Sequence, residues 1–475
     1  MKMLVFGTGR FYLNRKGDIE KYNKCDYIIG FVDNRANTVK SFEGKPVYLP
    51  VEIIGKEWDA IVIMSAHYLE MREQLLSLGI STDKIMCWEA YYARLRGDET
   101  LTFVSDAQAA CDKLRILLVA IPVGFDGSSM AICYTATELS LRGHAVTLLV
   151  SDCNDSLKDK LLSCGVNVKI NRALCFLQKE RYKEFCDYDV AIVNVHSNIR
   201  VACELSNHIP TLWWLHEFGK KYGELYIRDQ AMFYDYGVKE QLLKIRIAAV
   251  SNWAADVFQK YHSYQVDTIM PLGIPDKSSN KHKACFKDKV SFAVIGGVWE
   301  LKGQDLLIDA ISILPDTIKS KTICYIIGSC DGKDKYTEDV KEKAAKLTNI
   351  VFTGVLQREP LQEKMDEIDV IVCPSREETL SIAIIEGMMN GKICITTDAT
   401  GIAEYIEDGV SGFIVRSDDV NSLAEKIKYI ICNISDLNDM RKAAREVYDK
   451  YFSMQVFGDR LEKELDRTID EYKFR

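Results

Sequence analysis

The chain has 475 residues, 47% of them hydrophobic and 27% charged, with a net charge of −8 and a pI near 5.6. Such a length and apolar content predict two to four packed domains and exclude a disordered chain, and the acidic balance argues against a nucleic-acid polyanion as main partner. The cysteines are scattered singly with no C-x-x-C pair, which reads as reduced core thiols of a cytoplasmic protein, without a zinc site. No apolar run approaches the roughly 18 residues that span a bilayer, so any membrane contact is expected to be peripheral, at the inner face.

Met3 to Phe6 reads as a strand, Gly7-Thr8-Gly9-Arg10 as a tight turn, and Tyr27 to Val32 as a second strand ending at Asp33. This is the outline of a mononucleotide-binding unit, with Gly7 and Gly9 in the turn and Asp33 where a ribose would be held. The fingerprint lacks its third glycine, since Tyr12 stands there. Ala60 to Ser65 is a further strand, and a helix around Met71 to Leu78 ends at Gly79. Residues 1–100 therefore form a small αβ module, which either binds a nucleotide or only docks or dimerises.

Periodicity lapses between Gly97 and Lys113, marking a boundary. A second αβ pattern fills residues 113–275. Leu114 to Ile121 is its first strand, and Ser128 is placed to cap a helix running to Arg142. Gly127 and Ser128 are open to two readings, close approach to a phosphate or a simple turn and cap. Val190 to Val195 and Thr211 to Leu215 are strands that end at His196 and His216, so both histidines can line a cleft. From Phe218 to Arg246, Tyr222, Tyr226, Phe233, Tyr234 and Tyr236 are mixed with charges of both signs. A solvated helical pair is the expectation there, and an acceptor or membrane-surface patch the alternative. Asp276 to Asp288 is a polar linker by composition.

The last part opens with the strand Val290 to Ile295 and the loop Gly296-Gly297-Val298-Trp299-Glu300-Leu301-Lys302-Gly303. Its densest stretch is Val370 to Glu404: a buried strand, the break Pro374-Ser375, a polar loop to Ser381, a helix with apolar spacing stopped by Asn390-Gly391, and a second strand. Glu378 lies in the loop, and Glu386, eight residues on, lies about two turns into the helix on nearly the same side. Both carboxylates reach one cleft, where a carboxylate suits the vicinal hydroxyls of a sugar.

Pro374-Ser375, Glu378, Glu386, Gly387, Gly391 and Gly401-x-x-Glu404 together resemble the donor-binding half of retaining GT-B glycosyltransferases of family 4. The resemblance runs from about residue 114 to 472. Residues 1–100 resemble the Rossmann-like modules that accompany bacterial polysaccharide-biosynthesis enzymes. It implies an α/β fold of two Rossmann-like lobes facing a cleft, preceded by a third small domain. The acceptor-side lobe would be 113–275, the nucleotide-sugar donor lobe 289–450, and 451–475 a helix crossing back.

The implied activity is metal-independent, retaining transfer of a sugar from a nucleotide-sugar to a carbohydrate or lipid-linked acceptor, with no cofactor. Lys302 would clamp the donor diphosphate beside Gly296 and Gly297. Gly297 takes the place of a second basic clamp, an arginine, for which Arg376 is a substitute. Backbone N–H groups of Thr379, Leu380, Ser381 and Ile382 would face the phosphates, Glu386 would hold the ribose, Glu378 would orient the sugar, and His216 would contact its far edge. The alternatives are a sugar-nucleotide epimerase or phosphorylase on the same fold, or a non-catalytic nucleotide-sugar-binding protein.

Overall fold

The computed structural model describes residues 1–472 apart from 66, 98, 107–112, 125, 178, 218, 220–241, 263, 279–288 and 333. The aromatic positions 218–236 and most of the linker 276–288 therefore lie outside the described residues.

Three sheets follow one another along the chain. The first holds β1 (Lys2–Phe6), β2 (Tyr27–Val32), β3 (Ser41–Phe42), β4 (Lys45–Tyr48), β5 (Ala60–Ile63) and β6 (Ile85–Cys87), in the order β3-β4-β2-β1-β5-β6. The second holds β7 (Leu101–Phe103), β8 (Arg115–Ala120), β9 (Ala145–Val150), β10 (Asn167–Ile170), β11 (Val190–Asn194), β12 (Thr211–Leu215), β13 (Arg246–Ala249) and β14 (Thr268–Ile269), in the order β14-β13-β12-β11-β8-β9-β10-β7. The third holds β15 (Val290–Ile295), β16 (Thr322–Ile327), β17 (Ile350–Gly354), β18 (Val370–Cys373), β19 (Ile393–Thr397) and β20 (Phe413–Val415), in the order β17-β16-β15-β18-β19-β20. We call the three units the N-terminal module, the middle lobe and the C-terminal lobe. Pairing is parallel except for β3 with β4 and β7 with β10. The central strands are continuous apolar runs such as Val190–Asn194 and Thr211–Leu215, buried along their whole length, as expected of parallel strands covered on both faces.

Each sheet reverses its winding once: between β1 and β5, between β8 and β11, and between β15 and β18. Loops leaving the two strands at such a point run in opposite directions and open a crevice at the strands' carboxyl ends.

Two sequence expectations are corrected, and the role of Tyr12 is seen. β7 pairs with β10, so part of the stretch 97–113 belongs to the second sheet; three residues are too few to show alternation. The helix Gly127–Leu141 is capped by Asp126, whose carboxylate accepts from Ser129 N at 3.0 Å, and not by Ser128. Tyr12, where a third glycine would let helix and strand pack closely, is buried edge-on against Phe31 and Phe42 at 5.1 and 5.7 Å.

The helix Met454–Tyr472 packs on the middle lobe although it follows the C-terminal one. Trp213 and Trp214 of β12 are fully buried, and their indole N–H groups donate to Val195 O and Met270 O, both at 2.9 Å. Phe457 of the last helix stacks on Trp214 at 5.8 Å, and only a glycine at 273 leaves it room, since a Cβ there would stand 2.5 Å from the Phe457 side chain. Near the helix end, Arg246 donates to Glu464 at 2.8 and 3.1 Å with both side chains buried. Truncating Phe457 to Ala should remove about 3–5 kcal/mol of stability, because it leaves a cavity against the buried Trp214 ring. A urea titration checks this, and a midpoint matching the unmodified protein would show that the helix is not anchored there.

Candidate active site in the cleft between the lobes

A cavity of about 840 Å³ lies between the middle and C-terminal lobes, bounded by loops from both switch points. The loop after β8 brings Asp126, Gly127 and Ser128, and the loops after β11 and β12 bring Val195, Ser197, His216 and Glu217. From the other side the loop after β15 brings Trp299 and Lys302, the loop after β18 brings residues 378–383, and its helix brings Glu386.

Two helices begin at this cavity. The amino end of Gly127–Leu141 faces that of Ile382–Met389, and a Cβ at Gly127 would stand 3.3 Å from Ile382 Cδ1. Each amino end carries backbone N–H groups without intrahelical partners and a partial positive charge. Burial pushes the Asp126 carboxyl up, but hydrogen bonds from Ser129 and Ser128 outweigh that and hold it below the usual range.

Lys302 closes a short turn, Glu300–Lys302, and the next residue, Gly303, is left-handed at φ +66. A Cβ at 303 would stand 2.0 Å from Pro374 O, so glycine is required both for the turn and for this contact. The loop after β15 thereby lies on the end of β18, and the Lys302 ammonium meets the Glu378 carboxylate. Burial pulls the ammonium's pKa down, but Glu378 outweighs it and leaves Lys302 above its ordinary value.

His216 is partly reached by solvent, yet its Nε2 is shielded and has no hydrogen-bond partner among the described residues. Burial pushes the imidazole down to about 3 against the opposing pull of Asp126, so the ring is neutral at ordinary pH. Its carbonyl accepts from Thr379 Oγ1 at 2.8 Å, a direct bond between the lobes. Glu217 accepts from His196 N at 2.5 Å and His216 N at 3.0 Å, fastening the ends of β11 and β12 together. Val195 holds φ +63, costly for a β-branched residue at about 1–3 kcal/mol. Bonds from its N–H to Trp214 O and from Trp213 Nε1 to its carbonyl impose it.

Of the residues expected from sequence, the cavity brings together Lys302, Glu378, Glu386, His216, Thr379, Leu380, Ser381, Ile382, Gly127 and Ser128. Others lie elsewhere. Arg376 does not line the cavity: its guanidinium grips Asp305 at 2.8 and 3.0 Å and Asp418 at 2.7 Å, so it ties loops together in place of meeting a phosphate. The His196 ring is buried against Trp213 at 5.9 Å, beneath the sheet's end, and Ser197 reaches the cavity instead. Gly296 and Gly297 sit behind Lys302 without lining the cavity, and Gln304 Nε2 donates to Gly297 O at 2.9 Å. Gly7, Gly9 and Asp33 belong to the N-terminal module, and there the Asp33 carboxylate is taken up by Thr8 Oγ1 at 2.6 Å and by Arg35 through its backbone N and guanidinium at 2.9–3.1 Å. Burial raises that carboxyl, and these bonds more than offset it, holding it well below the usual range.

Sequence reasoning missed Asp126, Glu217 and Lys277 as lining residues. Asp126 could have been found from its place ahead of a helical run, and Glu217 from its adjacency to His216. Lys277 had no signal, because it stands in irregular chain between the lobes. Among the described residues no group of three or more His, Cys, Asp or Glu converges as a metal site would require, and no helix is long and apolar enough to cross a membrane.

Residues 276–447 match the family model described as glycosyl transferases group 1, and residues 1–86 match that of the C2185-like N-terminal domain. The chain is similar to sulfoquinovosyl transferase SQD2 of Arabidopsis thaliana, 31% identical over 33% of this chain and 29% of that protein. It is also similar to lipopolysaccharide glucosyltransferase WaaG of Escherichia coli K12, 26% identical over 33% of this chain and 45% of that one. The match thus spans less than half the length of these relatives. Anabaena Alr3699/HepE, solved in complex with UDP and glucose, superposes with a TM-score of 0.61, covering 74% of this chain and 100% of that one at 15% identity, a likeness of fold. The two lobes facing the cavity have the GT-B fold, and residues 276–447 are similar to the group 1 glycosyl transferases.

Proposed function

We propose that the protein moves a sugar from a nucleotide-sugar to a hydroxyl acceptor with retention, as a family 4 enzyme of bacterial polysaccharide or glycoconjugate synthesis working at the cytoplasmic side. The observation that carries this reading is the meeting, in one cavity, of Lys302, Glu378, Glu386 and the amino end of Ile382–Met389. Sugar transfer leaves negative charge growing on the departing diphosphate. The free N–H groups at the start of that helix and the Lys302 ammonium are suited to receive it. Glu378 holds Lys302 in the unliganded protein, and the arriving diphosphate would take over the ammonium, freeing the carboxylate to orient the sugar's hydroxyls. Glu386, further along the same helix, would accept hydrogen bonds from the ribose. Neutral His216 can share a hydrogen bond with the sugar but carries no charge to it. No cofactor and no metal enters this mechanism.

A thermal-shift panel of UDP-, GDP-, ADP- and dTDP-sugars, followed by transfer assays, tests the reading, because a ligand bound only by the folded state raises the melting temperature. Binding of a nucleotide-sugar with no transfer to any acceptor would leave a binding protein in place of an enzyme. Activity should survive EDTA; loss on chelation, restored by Mn²⁺ or Mg²⁺, would refute the metal-free clamp.

The roles of Lys302 and Glu386 separate in the kinetics. Lys302→Ala should lower kcat by about 10²–10³, as for one lost oxyanion donor, with less effect on donor binding. Glu386→Ala should chiefly raise the donor KM, since a ribose grip is equal in ground and transition states, and Glu386→Gln should be milder. Initial rates at varied donor concentration check both, and an unchanged kcat in Lys302→Ala removes the clamp.

A further inference from the structure

Glu404 belongs to the C-terminal lobe, at the turn Gly401–Tyr405, yet its carboxylate caps a helix of the middle lobe. Oε2 accepts from Asn252 N at 3.3 Å and Asn252 Nδ2 at 2.7 Å, and Oε1 accepts from Trp253 N at 3.1 Å. These are the first N–H groups of the helix Asn252–His262, where negative charge is favoured. Ser251 Oγ makes the usual cap bond to the third N–H, Ala254 N, at 3.2 Å, and Glu404 meets the first two.

The same turn grips the catalytic loop. Gly401 N donates to Glu378 O at 2.8 Å, and Glu378 N donates to Ala399 O at 3.3 Å. Gly401 is wedged between the lobes: a Cβ there would stand 2.0 Å from Thr379 O and 2.5 Å from Ser251 Oγ of the middle lobe. The segment 399–404 is therefore bonded to Glu378 on one side and to the middle lobe on the other. The bond from Thr379 to the His216 carbonyl, at 2.8 Å, spans the same edge of the cleft.

We propose that Glu404 is a positioning residue: by capping the middle lobe's helix it fixes the approach of the two lobes, and through the turn it sets Glu378 and Lys302 against His216. Its rate readout rests on the glycosyltransferase reading above; its geometry does not. In the full-length protein, Glu404→Ala should lower kcat about tenfold while the donor KM stays within about twofold, because Lys302 and Glu386 sit on the C-terminal lobe and are untouched. Glu404→Gln, which keeps one acceptor oxygen, should recover most of the loss. Small-angle X-ray scattering of unliganded Glu404→Ala should show a larger radius of gyration than the unmodified protein. A cap with only a structural role would lower the melting temperature and leave kcat and the scattering unchanged, and that result overturns the proposal. If the unmodified protein turns over no nucleotide-sugar, the proposed function fails, and the scattering comparison alone decides whether Glu404 holds the lobes.

Discussion

The site depends on a half-buried ion pair that does not touch it. Arg376 and Asp305 meet in two parallel hydrogen bonds at 2.8 and 3.0 Å, the bidentate geometry that gives an arginine–carboxylate pair both strength and direction. Arg376 also donates from its side chain to Glu300 O at 2.6 Å and from its backbone N to Leu301 O at 2.8 Å. Arg376 thus holds the end of the loop after β15 that leads into Lys302. Together with the contact of Gly303 on Pro374 O, this fixes where Lys302 stands relative to Glu378. A switch point opens a crevice by topology, and this stitching gives the crevice a defined shape.

The chemistry across the cleft is unequal. The C-terminal lobe presents Lys302 and a helix amino end, features fitted to anions. The middle lobe presents a neutral imidazole, a capped carboxylate at Asp126 and a second helix amino end. With Asp126, Glu217, Glu378 and Glu386 all lining the cavity, the positive field at its two helix amino ends is local and comes from orientation more than from net charge.

Much of this was legible in the sequence where the signal is a long apolar run or a helical period. The strands Val370–Cys373 and Val290–Ile295, the loop bearing Glu378 and the helix bearing Glu386 were readable because each is a continuous buried element ended by Pro, Gly or Asn. What was not legible depends on partners distant in the chain. Arg376 looks free in sequence because Asp305 is 71 positions away, and His196 looks like a cleft residue because nothing nearby shows that Trp213 will stack on it. Asp33 was read as an open ribose ligand, although Arg35, two residues on, was visible and is the side chain that occupies it. Short edge strands such as Leu101–Phe103 carry no period at all.

The helix Met454–Tyr472 covers β11 and β12 of a sheet whose last strand ends at Ile269. Synthesis from the amino end therefore exposes the middle lobe's tryptophan strand before its cover exists, and the whole C-terminal lobe must emerge in between. Until then Trp214 lacks its stacking partner and Arg246 lacks Glu464, so the middle lobe is left with an apolar face and without its buried ion pair. Its completion waits for residues 454–472, so the C-terminal lobe is the first of the two that can finish folding.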